Sequence, residues 1–325
     1  MTATAREEPK YLGGQAVVEG VMMRGETSWA VAIRTPNGEI ETVVHDAPRW
    51  SDRYRPVPLL RGVMALAESL SLGMRALTWS TNQQLEEEDQ LDSKGMGFAV
   101  GISVLFSIGL FFLLPAAASG RIGRWTGSSG FVLHLYEGLF RLGIFLAYIL
   151  LIGRMKDIGR LFQYHGAEHK AIAAYENGVT LTPEVAQRFS TEHVRCGTNF
   201  LLTVMVFSIA IYSLTGRPVW YLLIASRILL LPVIAGVAFE VIRFGARHMR
   251  SRTVRALMRP GLLLQRLTTR EPDDAQIEVA IAAAMAVLTA EQRNEVESRT
   301  ATESPLMRRV ARTSASASAS ASASA

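Results

Sequence analysis

The residues with the clearest chemical potential are two histidines and a glutamate in the middle of the chain, within the segment YHGAEH. The pattern from Gly159 to Glu176 predicts a helix that ends at Asn177-Gly178, and residues three and four apart share one helix face. His165, Glu168 and His169 should therefore project together. Two imidazoles at this spacing can bind one zinc ion while an adjacent carboxylate polarises the bound water. The H-x-x-E-H order is that of inverted zinc peptidases, and it predicts His165 and His169 as metal ligands and Glu168 as the catalytic base.

A catalytic zinc ion needs a third protein ligand and an open coordination position. The candidates for that ligand are His193 and Cys196, in the segment STEHVRCGTNF, and Glu240. Each has a structural alternative. His193 can start a helix, Cys196 can act as a small buried hydrophobe, and Glu240 can pair with Arg243 one turn away. We predict a divalent metal, zinc by its ligand types, and the spacing leaves the third ligand open.

Much of the chain that surrounds these residues is apolar and is predicted to form membrane helices. Of the 325 residues, 49% are apolar and 19% are charged, and the mean hydropathy is +0.19, which excludes a chain disordered over its whole length. The single cysteine excludes a disulfide-stapled fold. Four segments reach or approach the roughly 20 residues that a helix needs to cross about 30 Å of hydrocarbon, and their lengths favour membrane helices over the buried core of a soluble enzyme. They are Met96–Ser119, Leu135–Gly153, Asn199–Thr215 and Val219–Ile242.

Positive charge is concentrated in two of the connections. The segment between the second and third spans is rich in Lys and Arg, and eight arginines lie from Arg243 to Arg270. The other connections hold only Arg121 and Arg124, and Arg217. Cytoplasmic loops carry such an excess, so both termini and the middle loop are predicted on the cytoplasmic side. The basic run is interpreted as an anchor in preference to a surface for anionic lipid or RNA, and nucleic acid is not an expected partner.

Further elements are predicted outside the spans. β-Rich runs flank Asn37-Gly38, a dipeptide suited to a tight hairpin turn, and predict a small β unit between Tyr11 and Asp46. Apolar residues at helical spacing from Leu59 to Leu77 predict a helix that lies in the membrane interface or packs on the β unit. Asp273-Asp274 can cap an apolar helix that should dock on another element.

These patterns give a linear organisation for the whole chain. The expected segments are a disordered N-terminus (1–10), a cytoplasmic β unit with an amphipathic helix (11–95), the first two spans (96–153), a cytoplasmic segment with the H-x-x-E-H motif (154–198), the last two spans (199–242), a basic segment followed by a helix (243–298), and a disordered Ser/Ala tail (299–325).

Ionisable residues inside membrane spans are costly, and they are usually paired or functional. Glu137 and Arg141 are one helical turn apart and are predicted to pair with each other. Arg227 needs a partner that the sequence does not identify. Near the start, GGQAVVEGVMMRG lacks the Gly-Lys-Ser/Thr ending of a phosphate loop. Glu19 within it is interpreted as a salt-bridge partner, with metal ligation as the alternative.

Four separated motifs together resemble the YqhQ-like family of bacterial membrane proteins. They are GGQAVVEGVMMRG, YHGAEHKAIAAYENG, HVRCGTNFLL and PGLLLQRLTTREPDDAQIEVAIAA, and the similarity covers about residues 10 to 290. That family is a domain of unknown function, sometimes described as predicted metal-dependent enzymes. The resemblance implies an integral protein of the cytoplasmic membrane and brings no reaction with it. It directs attention to His165, Glu168, His169, His193 and Cys196.

The sequence therefore predicts a mainly α polytopic membrane protein with four transmembrane helices, a small N-terminal β unit and cytoplasmic helices. Its predicted function is a cytoplasmic-side metal site, with metal-dependent hydrolysis at the membrane surface as the reaction. The alternative is a non-catalytic scaffold or insertion factor that binds a translocon, ribosome or other complex through Arg243–Arg270 and the helix after Asp274. A transporter ranks below both, because four spans with few inward polar groups make a poor pathway. The expected partners are the lipid bilayer and a membrane-protein complex or a second copy of the chain.

Overall fold

The computed structural model describes residues 12–86, 88, 90, 92–128, 130–215, 219–289, 292–294 and 296–297. Within them, the prediction of a mainly helical chain with a small N-terminal β unit is confirmed. The predicted disorder of residues 1–10 and 299–325 falls outside the described residues.

The β unit is a four-stranded antiparallel meander in the order β1-β2-β3-β4. The turn between β3 and β4 contains the predicted Asn37-Gly38, where Gly38 has a φ of +87°. Such a positive φ strains any residue with a Cβ, so glycine is required at this tight turn. The strands are Gly13–Val17 (β1), Gly20–Arg24 (β2), Ser28–Arg34 (β3) and Ile40–Asp46 (β4).

Helices account for most of the remaining chain. Those outside the apolar segments are the 3-10 turn Asp52–Tyr54, α1 Leu60–Asn82, α5 Lys156–Glu176, α6 Pro183–Ala186, α9 Arg252–Thr268 and α10 Asp274–Val287. The apolar helices are α2 Ser93–Ile108, a π-helical turn Gly109–Leu113, α3 Leu114–Thr126, α4 Phe131–Ile152, α7 Gly197–Thr215 and α8 Trp220–Arg247.

The sheet is covered on both faces, because successive side chains of a strand point to opposite sides. Val21 and Met23 of β2 lie in one core with α5 and α10, whereas Met22 between them lies in a second core with α1. The helix predicted from Leu59 to Leu77 thus packs on the β unit, through Leu72. The apolar α10 packs against the sheet and α5, as the prediction of a docked helix required.

The start of α10 is fixed by a capping box. The Asp273 carboxylate accepts from Gln276 N at 2.8 Å, and the Gln276 side chain accepts from Asp273 N at 3.0 Å. These two bonds satisfy main-chain donors that the first helical turn would otherwise leave unpaired. The predicted cap at Asp273-Asp274 is confirmed at its first residue.

Three described helices, rather than the expected four, are long and apolar enough to cross a membrane: Lys94–Thr126, Phe131–Ile152 and Ala225–Arg247. The segment that falls short is α7, whose apolar part, Gly197–Tyr212, measures only about 24 Å at 1.5 Å per residue. The prediction of four full-length spans is therefore corrected.

Arg121 and Arg124 were expected in a connection, but they lie within α3, which continues α2 through the π-helical turn as one helix of 33 residues.

The most apolar stretch of the long helix Lys94–Thr126 is not buried by the rest of the chain. Phe98, Leu105 and Phe106 are exposed to 72%, 70% and 58%. An apolar surface of this extent is unusual in a soluble monomer and is typical of contact with lipid or another protein. The helix is thus compatible with membrane association.

Candidate metal centre

Two helices bring three potential metal ligands together. His165 and His169 lie on one face of α5, and Cys196 directly precedes the first residue of α7. One ligand atom from each of the three lies within 4.8 Å of the others. Nε2 of His165 is 3.2 Å from Sγ of Cys196, and the two imidazole centroids are 4.5 Å apart. The helix predicted from the YHGAEH segment thus presents both histidines to a donor from a distant part of the sequence.

Main-chain carbonyls fix the tautomer of both imidazoles. Nδ1 of His165 lies 2.8 Å from Thr268 O, and Nδ1 of His169 lies 2.5 Å from Thr191 O. A carbonyl oxygen can only accept, so each Nδ1 carries the proton. In the neutral form of each ring, Nε2 therefore keeps a lone pair, which is the donor that a metal ion requires.

Burial favours the neutral form of His169. It lowers the pKa of this imidazole, although the contacts with Cys196 and with the Thr191 carbonyl act in the opposite direction. The neighbouring charge of His165 adds to the lowering. Since a neutral imidazole is the form that binds metal, the surroundings hold His169 in a ligand-competent state.

Cys196 lies between an imidazole and a hydroxyl. Its Sγ is 3.2 Å from His165 Nε2 and 3.1 Å from Thr198 Oγ1, and the residue is buried. It also directly precedes α7. The sulfur thus lies within hydrogen-bond distance of an imidazole nitrogen and of a hydroxyl, both of which are polar partners.

Glu168 is buried and lies against β1. A Cβ at Gly14 would lie 2.7 Å from Glu168 Oε1 and 2.7 Å from its Cγ, so only glycine leaves room for this side chain. Burial raises the pKa of Glu168, and the nearby His165 and His193 oppose that rise. The glycine-rich segment near the N-terminus thus makes room for the predicted catalytic carboxylate.

His193 lies beside the three donors but outside their group. Its ring centroid is 5.5 Å from that of His169, and its Nε2 is 3.7 Å from Glu176 Oε2. The Gln265 side chain holds its main chain from both sides, accepting from His193 N at 2.8 Å and donating to His193 O at 2.7 Å. His193 is therefore a neighbour of the cluster with a carboxylate partner of its own.

Glu240, the other candidate for the third ligand, is engaged elsewhere. Nε of Arg61 donates to its Oε1 at 2.6 Å, Nη2 of Arg61 donates to Oε2 at 2.5 Å, and Leu59 N donates to Oε1 at 3.4 Å. These bonds join α1 to α8, and Arg61 rather than the expected Arg243 is the ion-pair partner. The expectation that Glu240 joins the histidines is not met, because α1 packs between its helix and the β unit.

Glu19 has the structural role that the sequence favoured. Nε of Arg160 donates to its Oε1 at 2.5 Å, and Tyr164 OH donates to its Oε2 at 3.3 Å. Burial, followed by the charge of Glu19, raises the pKa of Tyr164. The carboxylate thus joins the β1-β2 turn to α5.

Sequence reasoning missed the residues that orient the site. The carbonyls of Thr191 and Thr268 act through the main chain, so no side-chain pattern identifies them. The one available signal is Gly166, between the two histidines. A Cβ there would lie 2.2 Å from Arg270 O, so glycine permits the close approach of α5 to the chain that leaves α9.

The two surfaces named for the scaffold alternative are partly occupied within the chain. Nε of Arg266 donates to Glu192 at 2.8 Å, and Arg270 donates to the Gly153 carbonyl. The apolar residues of α10, including Ile277 and Ala280, are buried against the sheet and α5. α10 is therefore not a free docking helix, whereas a partner for the remaining arginines stays a prediction.

Comparison with known proteins gives a consistent result. A family model described as "Protein of unknown function (DUF1385)" matches residues 57–290. The uncharacterized protein YqhQ of Bacillus subtilis is 35% identical over 292 residues, which cover 84% of this chain and 91% of that protein. No solved structure matches the chain.

Proposed function

The chain belongs to the DUF1385 family of proteins of unknown function, as its YqhQ-like motifs predicted, and we propose that it is a membrane protein with a divalent-metal centre. His165, His169 and Cys196 are the ligands. Zinc is the metal, because two imidazoles and one thiolate are its usual donors and tetrahedral ligation suits them.

One observation carries this proposal: both Nδ1–H groups donate to main-chain carbonyls. Metal-binding histidines commonly donate their second N–H to a carbonyl or carboxylate, which fixes the ring and the tautomer. Here Thr268 O and Thr191 O accept these bonds. A single such bond is common in any core. Two of them, on neighbouring imidazoles beside a cysteine, are typical of bonds that orient the ligands of a metal ion.

The proposed reaction is hydrolysis at the membrane surface. With His165, His169 and Cys196 as its only protein ligands, a zinc ion would keep one position open for water, as catalytic rather than structural zinc sites do. Glu168 is the general base, the role that its position in H-x-x-E-H suggests. When bound, the metal would lower the pKa of its water toward neutrality.

Metal analysis of the purified protein tests this assignment. Wild-type protein from zinc-supplemented cells should hold about one zinc ion per chain, and His165→Ala plus His169→Ala should remove it. The matched control is His248→Ala, because His248 is exposed and its Nδ1 bonds within its own helix. Stoichiometric metal in the double variant would refute the ligand set, and loss of metal in the control would indicate a general effect.

A second candidate function uses the same residues without a metal. Cys196 Sγ lies 3.2 Å from His165 Nε2, and the Thr268 carbonyl holds the other nitrogen of that ring. A thiol paired with an oriented imidazole at a helix start is the arrangement of cysteine nucleophiles. Here His165 would take the thiol proton, Cys196 would attack an acyl carbon, and the leaving group would depart with the proton from His165, after which water would hydrolyse the acyl-cysteine.

Alkylation kinetics separate the two candidates. If zinc is bound, iodoacetamide should modify Cys196 slowly, and a chelator should accelerate the reaction. If the thiol acts alone, the modification should be fast, indifferent to chelator, and slower in His165→Gln. Cys196 is the only cysteine, so the label reports on one site.

We further propose that both ends of the chain face the cytoplasm. β2 and β3 pack on α10 in one core, so the N-terminal and C-terminal parts lie on the same side of any membrane. The three long helices alone would place them on opposite sides. The chain therefore has to cross the membrane once more. The segment that can do so is α7, which packs along α8 and is long enough for a locally thinned bilayer.

Terminal tags test this arrangement. Both tags should resist an external protease in intact cells and be cleaved in inverted vesicles. Tags cleaved from opposite sides would contradict the shared core as well as the orientation. Cleavage of both tags from outside would overturn the orientation alone.

A further inference from the structure

The apolar helices enclose more positive than negative charge. Residues 94–153 and 197–247 contain only two acidic residues, Glu137 and Glu240. Glu240 is bound to Arg61 of α1. Glu137 is therefore the one carboxylate of these segments left for the two buried arginines, Arg141 and Arg227, and it pairs with both. A guanidinium stays protonated in proteins, so the two arginines and their shared carboxylate together carry one net positive charge among the described residues.

The two arginines differ in how completely they are bonded. Nε of Arg141 donates to Phe111 O at 2.9 Å, its Nη1 to Ser208 Oγ at 3.1 Å and its Nη2 to Glu137 Oε1 at 2.9 Å. Phe111 belongs to the π-helical turn at the middle of the long helix. π-Turns often mark functional positions, and this one brings its carbonyl to a guanidinium. Arg141 thus has a partner on each nitrogen.

Arg227 is less completely bonded than Arg141 among the described residues. Its Nη2 lies 3.2 Å from Glu137 Oε2 and 3.4 Å from His134 Nδ1, and its guanidinium carbon lies 3.8 Å from the centre of the Tyr212 ring. Its Nη1 is buried without a hydrogen-bond partner among the described residues. The whole side chain is only 9% exposed. A charged donor in this position is strongly unfavourable unless an acceptor reaches it.

We propose that Arg227 Nη1 is the anchor of an anion site within the helix bundle. The ligand is a single negatively charged acceptor, either a small inorganic anion or the phosphate of an anionic lipid. Such a group would supply the missing acceptor and cancel the charge surplus. Glu137 and Arg227 both lie within the first third of α4 and α8, about 10 Å from the helix starts. The site is thus at the end of the bundle opposite α5 and α9, and it is independent of the proposed metal centre.

Thermal unfolding in neutral detergent tests the proposal. Delipidated protein is titrated with sodium chloride, bromide or phosphate, with sodium gluconate keeping the ionic strength constant. A ligand that binds only the folded state raises the midpoint in a saturable way. We expect such a rise for at least one anion, its loss in Arg227→Gln, and its retention in the matched control Arg124→Gln, whose helix position is outside the cluster.

A lipid arm distinguishes the source of the anion. In low-salt gluconate buffer, phosphatidylglycerol is compared with phosphatidylcholine at equal amounts. Stabilisation by phosphatidylglycerol alone, lost in Arg227→Gln, assigns the site to a lipid phosphate. Stabilisation by the salts alone assigns it to a free anion. Equal midpoints in every anion and lipid would overturn the proposal, as would a shift that persists in Arg227→Gln.

Removal of the competing carboxylate provides a second variant. Glu137→Gln frees both guanidinium groups, so the apparent dissociation constant for the anion should fall by about tenfold or more. An unchanged or weaker affinity would contradict the site. If neither variant folds, the wild-type comparison of anions and lipids still decides between binding and no binding.

Discussion

The chain buries two polar clusters, one between α5 and α7 and the other between α4 and α8. They differ in the kind of atom, acceptor or donor, that their internal bonds leave available to a ligand. In the first, carbonyls take the N–H groups of His165 and His169, so lone pairs remain. In the second, Glu137 is shared by Arg141 and Arg227, so Nη1 of Arg227 remains a donor without an acceptor among the described residues. The comparison teaches that the sign of a ligand follows from the atoms that a protein leaves unsatisfied. The first cluster suits a cation and the second an anion.

The largest expected effect concerns the fully bonded arginine. Arg141→Gln removes three hydrogen bonds and leaves Phe111 O and Ser208 Oγ without their donor, whereas Arg227→Gln also removes the unpaired Nη1. The free energy of unfolding should fall by about 3 kcal/mol or more in Arg141→Gln and by clearly less in Arg227→Gln. Denaturant unfolding in detergent measures both. Equal losses would remove the proposed distinction between a satisfied and an unsatisfied guanidinium.

Two glycines of α5 face the same residue and should respond in opposite ways. A Cβ at Gly166 would lie 2.2 Å from Arg270 O, a main-chain atom, so Gly166→Ala should destabilise the protein by about 1 to 3 kcal/mol. A Cβ at Gly159 would meet only the end of the Arg270 side chain, at 2.6 Å. That end can move, so Gly159→Ala should be neutral or stabilising by up to about 1 kcal/mol.

The metal content of the two variants sharpens the contrast. Gly166 lies between the histidines, and its Cβ would also meet the Thr191 side chain at 3.2 Å. Gly166→Ala should therefore weaken metal binding, while Gly159→Ala should leave it unchanged. Tight metal binding by both variants would show that the approach of α5 to Arg270 does not shape the site.

Two adjacent glycines of β1 provide a matched pair of variants for which a smaller change in stability is expected. A Cβ at Gly14 would lie 2.7 Å from Glu168 Oε1, whereas a Cβ at Gly13 would meet nothing within 4 Å. Gly14→Ala should displace the carboxylate and destabilise the fold by roughly 1 kcal/mol or more, and Gly13→Ala should change the stability by less than about 0.5 kcal/mol. Denaturant unfolding measures both changes, and equal losses of stability in the two variants would show that the contact with Glu168 does not explain the effect.

The smallest expected effect is a pH dependence at the contact between α1 and the β unit. Burial raises the pKa of Glu68, but hydrogen bonds from Ser51 N and from Arg24 outweigh it, so the pKa is lowered. A carboxylate with a lowered folded pKa contributes stability above its unfolded pKa, and this is lost as the pH falls through the folded value. Glu68→Gln should therefore flatten the loss of stability below about pH 4, whereas Glu41→Gln on the exposed strand β4 should not.

Local features were predictable from the sequence because their causes are local. The turn at Gly38 and the helix through His165 and His169 follow from backbone preference and side-chain spacing. The pairing of Glu137 with Arg141 follows from one helical turn and is confirmed at 2.9 Å. Arg227, by contrast, found its partner on another helix, which no spacing rule identifies.

The errors have a common physical cause, the packing of distant segments. Glu240 was a candidate for the third ligand, yet Arg61 of α1 binds it. α7 was counted as a full span by composition, although its apolar part is too short. The orientation of the imidazoles depends on carbonyls of Thr191 and Thr268, which every residue possesses. Which helices come into contact with one another was not predictable from these local patterns.

X-ray absorption at the zinc edge of purified protein tests whether Cys196 is a zinc ligand. We expect one sulfur ligand at about 2.3 Å and nitrogen or oxygen ligands at about 2.0 to 2.1 Å, with the sulfur contribution lost in Cys196→Ser. A zinc-loaded protein without a sulfur ligand would contradict the proposed site. So would a protein that holds no zinc after expression in zinc-supplemented cells.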